Sequence, residues 1–487
     1  MPQSRTMAFR RLAGEHMQPP PPTLAMGSPL ARAVELLAAA AGSSLVVVDA
    51  EGHPQGILTE QDVVRRVTFQ VDGDCPVDQV VSRPVRAIRA DDLLFHAIAR
   101  MRRAGLRHMP VTDDRDCLVG ILTLDAALAT ATSQLVGQID RLTRQDTPEG
   151  MAEVRAAQLD VAEQLLADDV PTPEIQALLS HINNDVYRRI LRHCIGELAD
   201  AGQGRPPVGF CLLVMGSGGR GESYLNPDQD NGFVIADYPD AEHGRVDGYF
   251  GELAERLTQT MHAVGMPLCK GYVMAVNPLW RKTASQWRAQ MDYWIAKQNV
   301  ATLRLSDIFF DFRAVAGERR LGAELRDYIS QRLRGNQAFL REMYQKDEGF
   351  GVGLGLFNRF IVEKKDPDHQ GELNLKLNGT LPLVDGIRVL ALLHGVPETS
   401  TLDRIAGLHG NGVLDDDDAD YLAGAFRHLT RLLLRQQMTD QRGGRAISNY
   451  VHPGGLTDRE EDMLVDSLKA IRDLRERVRS DLTGEIF

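Results

Sequence analysis

Apolar side chains recur at every third and fourth position through ARAVELLAAAAG, starting at Ala31, which predicts an amphipathic helix. The next stretch, SSLVVVDAEGHPQGILTEQDVVRRV, changes to short apolar runs broken at Gly52. It predicts strand, turn, strand and a helix capped at Thr59. The same order then returns. Asp92–Gly105 has helical spacing, and LRHMPVTDDRDCLVGILTLDAALA again predicts strand, turn, strand and helix start. The step Gly56-Ile57-Leu58-Thr59 recurs as Gly120-Ile121-Leu122-Thr123, an internal repeat whose copies are expected to stack into a common core.

Helical spacing continues through SQLVGQIDRLTRQ, PEGMAEVRAAQLDVAEQLLADD and PTPEIQALLSHINNDVYRRILRHCIGELADAG, punctuated at Pro171 and Pro173. Phe210–Met215 then reads as a buried strand, Gly216–Glu222 as a glycine-rich turn, and Gly232–Ala236 as a second strand. GYVMAV, 271–276, is the candidate for a later strand. From about residue 335 the pattern is helical to the end, with Leu, Ile and Phe spaced for bundle packing. At the other end, the Pro19–Pro22 run enters neither helix nor sheet interior, so residues 1–24 are expected to be a flexible or extended lead-in.

Length and composition narrow the class. The 487 residues predict three or four domains, and 43% hydrophobic with 25% charged residues excludes wholesale disorder. With 67 acidic against 55 basic side chains the net charge is −12, which disfavours nucleic acid as the partner. The 5 cysteines are scattered and lack a CxxC pair, a pattern that fits a reducing cytoplasm rather than a disulfide framework. No apolar run approaches the ~18 residues of a membrane span, and no secretory signal follows the first arginines. A cytoplasmic protein without membrane contact is expected.

The chemistry concentrates in VMGSGGRGESYLNPDQDNGFVIAD. Asp228 and Asp230, two apart at a strand start, share a face and can hold one or two Mg²⁺ or Mn²⁺ ions through carboxylate oxygens. Gly216 and Ser217 let backbone N–H groups and a hydroxyl approach a triphosphate, and Arg220 can fork onto its phosphate oxygens. Glu222 is expected to anchor the turn. Nucleotidyl transfer needs this combination. A third carboxylate to serve as base is missing from 271–276; Asp307 and Asp311 remain as candidates, or else pair with Arg304 or Arg313. No general base is assigned.

Two resemblances rest on these residues. The helix–strand–strand–helix order with its GILT step resembles a pair of CBS domains, a Bateman module. In CBS pairs that bind adenosine nucleotides, a Thr followed three residues later by Asp holds phosphate and ribose. That resemblance implies AMP, ADP or ATP at Thr59 and Asp62, with Thr123 in the second repeat, where the Asp is absent or shifted to Asp125. Thr59 and Thr123 can equally be plain helix caps. Gly216-Ser217 followed by Asp228-x-Asp230 resembles the DNA polymerase β-like nucleotidyltransferase superfamily, and the form GSGGRGE…DQD is similar to protein-PII uridylyltransferases and glutamine-synthetase adenylyltransferases.

The whole chain resembles bacterial CBS-linked nucleotidyltransferases described as signal-transduction proteins. The expected fold is α/β multidomain: flexible segment 1–24, CBS pair 25–130, α-helical linker bundle 131–205, nucleotidyltransferase α/β core with a mixed sheet 206–330, and an all-α C-terminal domain 331–487. The resemblance implies nucleoside triphosphate as substrate, with Asp228 and Asp230 as catalytic metal ligands and Gly216, Ser217 and Arg220 on the phosphates. It further implies an acceptor signalling protein or small molecule, control by adenine nucleotides, and a homodimer. The alternative is a catalytically silent nucleotide-sensing scaffold.

Overall fold

The computed structural model describes residues 12–39, 44–63, 71, 73–124, 126–127, 147–167, 169–297, 308–347 and 351–483. Residues 1–11 of the expected lead-in, SQLVGQIDRLTRQ, Asp125, Arg304 and Asp307 lie outside them. The chain divides into two compact units, Met1–Gln145 and Asp146–Phe487.

The first unit holds the repeat. One three-stranded sheet contains β1 (Thr23–Ala25), β2 (Ser44–Val48) and β3 (Pro54–Thr59); the other contains β4 (Ile88–Arg89), β5 (His108–Thr112) and β6 (Leu118–Thr123). In each sheet the first pair is parallel and the second antiparallel. Helices α1 (Leu30–Ala39) and α2 (Leu94–Ala104) bury Leu30, Ala33 and Leu37, and Leu94, Ala97 and Met101, against the two sheets. Val46, Ile57 and Ile121 meet in one cluster, so the copies share core, as expected of a stacked repeat.

The GILT glycines have a packing cause. Another chain segment crosses over each: a Cβ on Gly56 would come within 2.7 Å of Val81 Cγ2, and one on Gly120 within 2.8 Å of the Gln18 carbonyl oxygen. The segment over Gly120 corrects the expected lead-in. From residue 12 onward it belongs to the fold, because Gln18 exchanges backbone hydrogen bonds of 2.8 and 3.1 Å with Ile121 and Ala13 is fully buried.

The second unit is built on a mixed sheet in the order β10-β7-β8-β9: β7 (Phe210–Val214), β8 (Asn231–Ile235), β9 (Arg281–Thr283) and β10 (Arg313–Gly317). β7 pairs antiparallel with β8 and β10, and β9 runs parallel to β8. Both central strands are buried on both faces, and apart from Asn231 at the start of β8 they carry no polar side chain, as sheets covered by helices require. Phe210 and Phe233 pack on Phe250 of helix α6 (His243–Ala263), while Cys211 and Leu213 lie in one core with Leu321 and Leu325 of α8 (Arg319–Leu333). Trp280, Trp287, Trp294, Phe309, Phe310 and Phe312 form one aromatic cluster, with Trp287 stacked on Phe309 at 4.6 Å between centroids. Aromatic pairs of this kind add ~0.5–1.5 kcal/mol each.

The helices expected as a linker, α3 (Pro148–Ala156), α4 (Gln158–Ala167) and α5 (Thr172–Asp200), belong to this same unit: α5 packs against α6, β10 and a C-terminal helix. The C-terminal region is helical as expected, with α9 (Gln337–Asp347), α10 (Leu381–His394), α11 (Thr401–Gly410), α12 (Asp416–Arg442) and α13 (Asp458–Thr483), plus a two-residue ladder between Leu373–Asn374 and Tyr450–Val451. α7 (Ala284–Lys297) completes the core.

Residues 271–276 are not the expected strand. Tyr272 takes a left-handed φ of 55°, and Asn231 pins the segment as a loop by donating its N–H to the Val273 carbonyl and accepting the Ala275 N–H. No described helix is long and apolar enough to cross a membrane.

Candidate active site

β7 ends at Val214, and the chain turns through a single helical turn, Gly216–Arg220, before returning past Asp228 to β8. Gln229 points inward, donating to the Thr258 and Met266 carbonyls at 3.3 and 2.9 Å, so period-two alternation turns Asp228 and Asp230 the other way. The Met215 N–H donates to the Asp230 carbonyl at 2.9 Å, which fixes the glycine turn against the acid pair. Gly216 has φ +59°, and its missing side chain is replaced by the Asp230 carboxylate: a Cβ there would lie 2.8 Å from Oδ2. Ser217 is half-buried on the same turn. The structure thus sets Gly216 against Asp230, with Ser217 on the same turn and Asp228 on the segment leading into β8.

The electrostatics follow from the packing. Burial pushes Asp230 up to about 6, against a hydrogen bond from the Cys269 thiol and with the Asp228 charge adding to the rise. Burial also raises Asp228, opposed by the charges of Lys376 and Lys270. Asp230 Oδ1 is buried without a protein hydrogen-bond partner. A buried, unpaired carboxylate oxygen beside a second carboxylate fits a hard divalent cation such as Mg²⁺, which takes oxygen ligands.

Arg220 is engaged elsewhere than on the phosphates expected of it. Its Nε donates to Glu222 at 2.6 Å and its Nη1 to Asp311 at 2.7 Å. Asp311, fully buried, also receives Arg388 of α10 at 2.6 Å and Arg404 of α11 at 2.7 Å. Burial alone would raise its pKa, but Arg388, Arg404 and Arg220 together hold it well below the usual carboxylate range. It cannot serve as a general base while it carries three guanidinium groups. Glu222 anchors the turn as expected: Oε1 accepts the Thr401 N–H at 2.6 Å, and Thr399 Oγ1 donates to the Gly219 carbonyl at 3.2 Å. The C-terminal helices thus grip the glycine-rich turn directly.

Two cations at the acid pair escaped sequence reasoning. Lys270 follows Cys269 on the loop that flanks Asp230. Lys376 comes from a π-helical turn, Lys376–Thr380, in the C-terminal region, and reaches Asp228 and Asp230 only through the tertiary fold. The stretch LNLKLNGT was visible in the sequence, but nothing in its spacing tied it to a site so distant along the chain.

In the first unit, Thr59 is a helix cap. It forms a capping box with Asp62: the Asp62 N–H donates to Thr59 Oγ1 at 3.2 Å, and Asp62 Oδ2 accepts the Thr59 N–H and hydroxyl at 3.0 and 2.7 Å. Thr123 ends β6 opposite His108.

A CBS family model matches residues 13–68 and 77–130. The family described as "Putative nucleotidyltransferase DUF294" matches 156–301, and the "Putative nucleotidyltransferase substrate binding domain" matches 337–482. The architecture is therefore a CBS pair followed by a nucleotidyltransferase-type core and its C-terminal substrate-binding-type domain. The chain belongs to the CBS-linked members of that nucleotidyltransferase family.

Curated relatives include a homoserine O-acetyltransferase of Methanohalophilus mahii, 30% identical over 24% of this chain and 23% of the relative. An uncharacterized protein of Methanopyrus kandleri is 34% identical over 21% of this chain and 55% of its own length. The chain thus spans from about a sixth to about half of the curated relatives it matches. Among solved structures, a CBS domain protein from Pyrobaculum aerophilum complexed with AMP is 24% identical over 24% of this chain and 88% of that one, with a TM-score of 0.23.

Proposed function

We propose that this chain is a regulatory nucleotidyltransferase that moves a nucleoside monophosphate from a triphosphate to a hydroxyl of a signalling protein or small molecule, in the manner of protein-PII uridylylation. The observation that carries the reading is the pairing of Asp228 and Asp230 beside the glycine-rich turn, with Asp230 Oδ1 left without a protein partner. Asp228 and Asp230 would hold Mg²⁺ or Mn²⁺, which supplies charge neutralisation for the α- and outer phosphates when bound. Gly216 and Ser217 cradle the triphosphate through the backbone and hydroxyl. Arg220 acts one step back, holding the turn through Glu222 and Asp311.

In the reaction the acceptor oxygen attacks the α-phosphorus, the bond from it to the β-phosphate bridging oxygen breaks, and pyrophosphate leaves. The acceptor's proton passes to solvent, to which the exposed Asp228 keeps the site open. Lys270 and Lys376 offset the charge that accumulates on the departing group.

Adenine nucleotide at the CBS pair is proposed to modulate this activity, with Thr59 and Asp62 as the first contacts and Thr123 as the second-repeat counterpart. Such control requires the effector to bind two conformations unequally. Addition of AMP, ADP or ATP to the full chain should change its thermal midpoint or its rate; no change with any of them rejects the regulatory part. A reducing cytoplasm suits the free cysteines, and a homodimer is the proposed assembly.

The transferase reading is tested by incubating the protein with each labelled nucleoside triphosphate, Mg²⁺ or Mn²⁺ and lysate. Label should move to an acceptor with wild type and not with Asp228→Asn or Asp230→Asn. The second reading, a silent nucleotide-sensing scaffold, is favoured by one observation: Asp311 is consumed by arginines and the loop 271–276 offers no carboxylate. Nucleotide binding without any transfer would decide for it.

A further inference from the structure

The loop between α6 and β9 runs alongside the acid-bearing segment and touches it at three points. The Gln229 N–H donates to the Pro267 carbonyl at 3.1 Å, the Cys269 thiol hydrogen-bonds the Asp230 carboxylate, and the Asn231 N–H donates to the Val273 carbonyl at 2.9 Å. Between the second and third of these stands Tyr272. Its backbone has φ +55°, an uncommon and costly conformation for a bulky aromatic residue, and its side chain is left largely in water, the residue being 69% exposed.

The conformation is held from both sides. The Tyr272 N–H donates to the Cys269 carbonyl at 3.0 Å, and its carbonyl accepts Asn277 Nδ2 at 3.2 Å. The fold therefore maintains an unfavourable backbone that leaves an aromatic ring in solvent, two positions from Lys270 on the loop that flanks Asp228 and Asp230. Neither core packing nor loop closure explains that, because an exposed ring buries little and glycine would take this φ without strain.

We propose that Tyr272 is the platform on which the base of the bound nucleoside triphosphate stacks. The inference rests on the transferase reading and names the group that would hold the nucleotide's other end. A flat ring accepts every base through its π face, so the stack supplies affinity without selecting one base.

The test is calorimetric titration of the full chain with ATP, GTP, CTP and UTP in Mg²⁺, for wild type and three variants. Tyr272→Phe keeps the ring and should bind within about twofold of wild type. Tyr272→Leu keeps an apolar side chain without the flat face, and should bind ~10- to 100-fold more weakly. Tyr272→Gly should lose the same affinity while raising the thermal midpoint, since glycine relieves the backbone. Unchanged affinity in the Leu and Gly variants, with wild type binding well, overturns the stack and leaves the transferase reading standing. A Gly variant that is less stable and binds as weakly as it folds overturns it in favour of a structural tyrosine. Failure of wild type to bind any of the four nucleotides overturns both.

Discussion

The carboxylate of Asp230 fills the place that a side chain at Gly216 would take, with Oδ2 only 2.8 Å from where a Cβ would sit. The turn that is proposed to cradle phosphate and the residue proposed to hold the metal are thus fitted to each other. Gly216→Ala must both hold φ near +59° and push Asp230 aside. It should lower transfer at least tenfold and destabilise the unit by ~1–3 kcal/mol. Equilibrium denaturation and the labelling rate of the same preparation check this; a variant with normal stability and normal rate would show that the fit is unimportant.

Asp311 joins Arg220, Arg388 and Arg404, and so links the glycine-rich turn to α10 and α11. Asp311→Asn leaves three buried guanidinium groups short of one charge, and should cost ~3–5 kcal/mol in urea denaturation. The pH dependence has a definite sign. Because the arginines hold the folded pKa well below the ordinary ~3.9, the stabilisation is complete above that value and is lost as pH falls toward the folded one. Wild type should therefore lose more stability than Asp311→Asn on acidification below pH ~4.

Lys376 is supplied to the acid pair by the C-terminal region. Its replacement by Ala should raise KM for the triphosphate about tenfold or more, the range of a lost charge-assisted contact, while Lys376→Arg retains most of the affinity. Steady-state kinetics on the two variants separates charge from packing. Equal KM values for Ala and wild type would remove Lys376 from the site.

Much of this arrangement was legible in the sequence, and the reasons for the rest are physical. The repeat announced itself through GILT because a crossing segment constrains the glycine of each copy, Val81 over Gly56 and Gln18 over Gly120. Asp228 and Asp230 were readable because period-two alternation is local. Residues 271–276 had the apolar composition of a strand, yet Asn231 claims their backbone groups, a contact between segments that no local pattern encodes. Arg220 looked like a phosphate ligand since its type and position suit one. Its partner Asp311 lies 91 positions away and is recognisable only once the fold brings it in. The segment from residue 12 reads as a flexible or extended lead-in, and its packing over Ile121 is a contact between distant segments that no local pattern encodes.

Thr59 caps its helix through a reciprocal pair of hydrogen bonds with Asp62. Thr59→Val keeps the shape and removes the hydroxyl, and should lower the stability of the repeat unit by ~0.5–2 kcal/mol. If the same pair contacts adenine nucleotide, the thermal shift produced by AMP, ADP or ATP on wild type should also vanish. A variant that is destabilised but retains the full shift would confine Thr59 to capping.

The central claim is that the bond broken lies at the α-phosphorus. It is tested most directly by running the reaction in parallel with α-labelled and γ-labelled nucleoside triphosphate, Mg²⁺ and a lysate containing acceptors. Nucleotidyl transfer by Asp228 and Asp230 predicts that the α-label enters the acceptor, that the γ-label leaves as pyrophosphate, and that both outcomes disappear in Asp230→Asn. Transfer of the γ-label to the acceptor, or transfer of either label undiminished in that variant, would contradict the account.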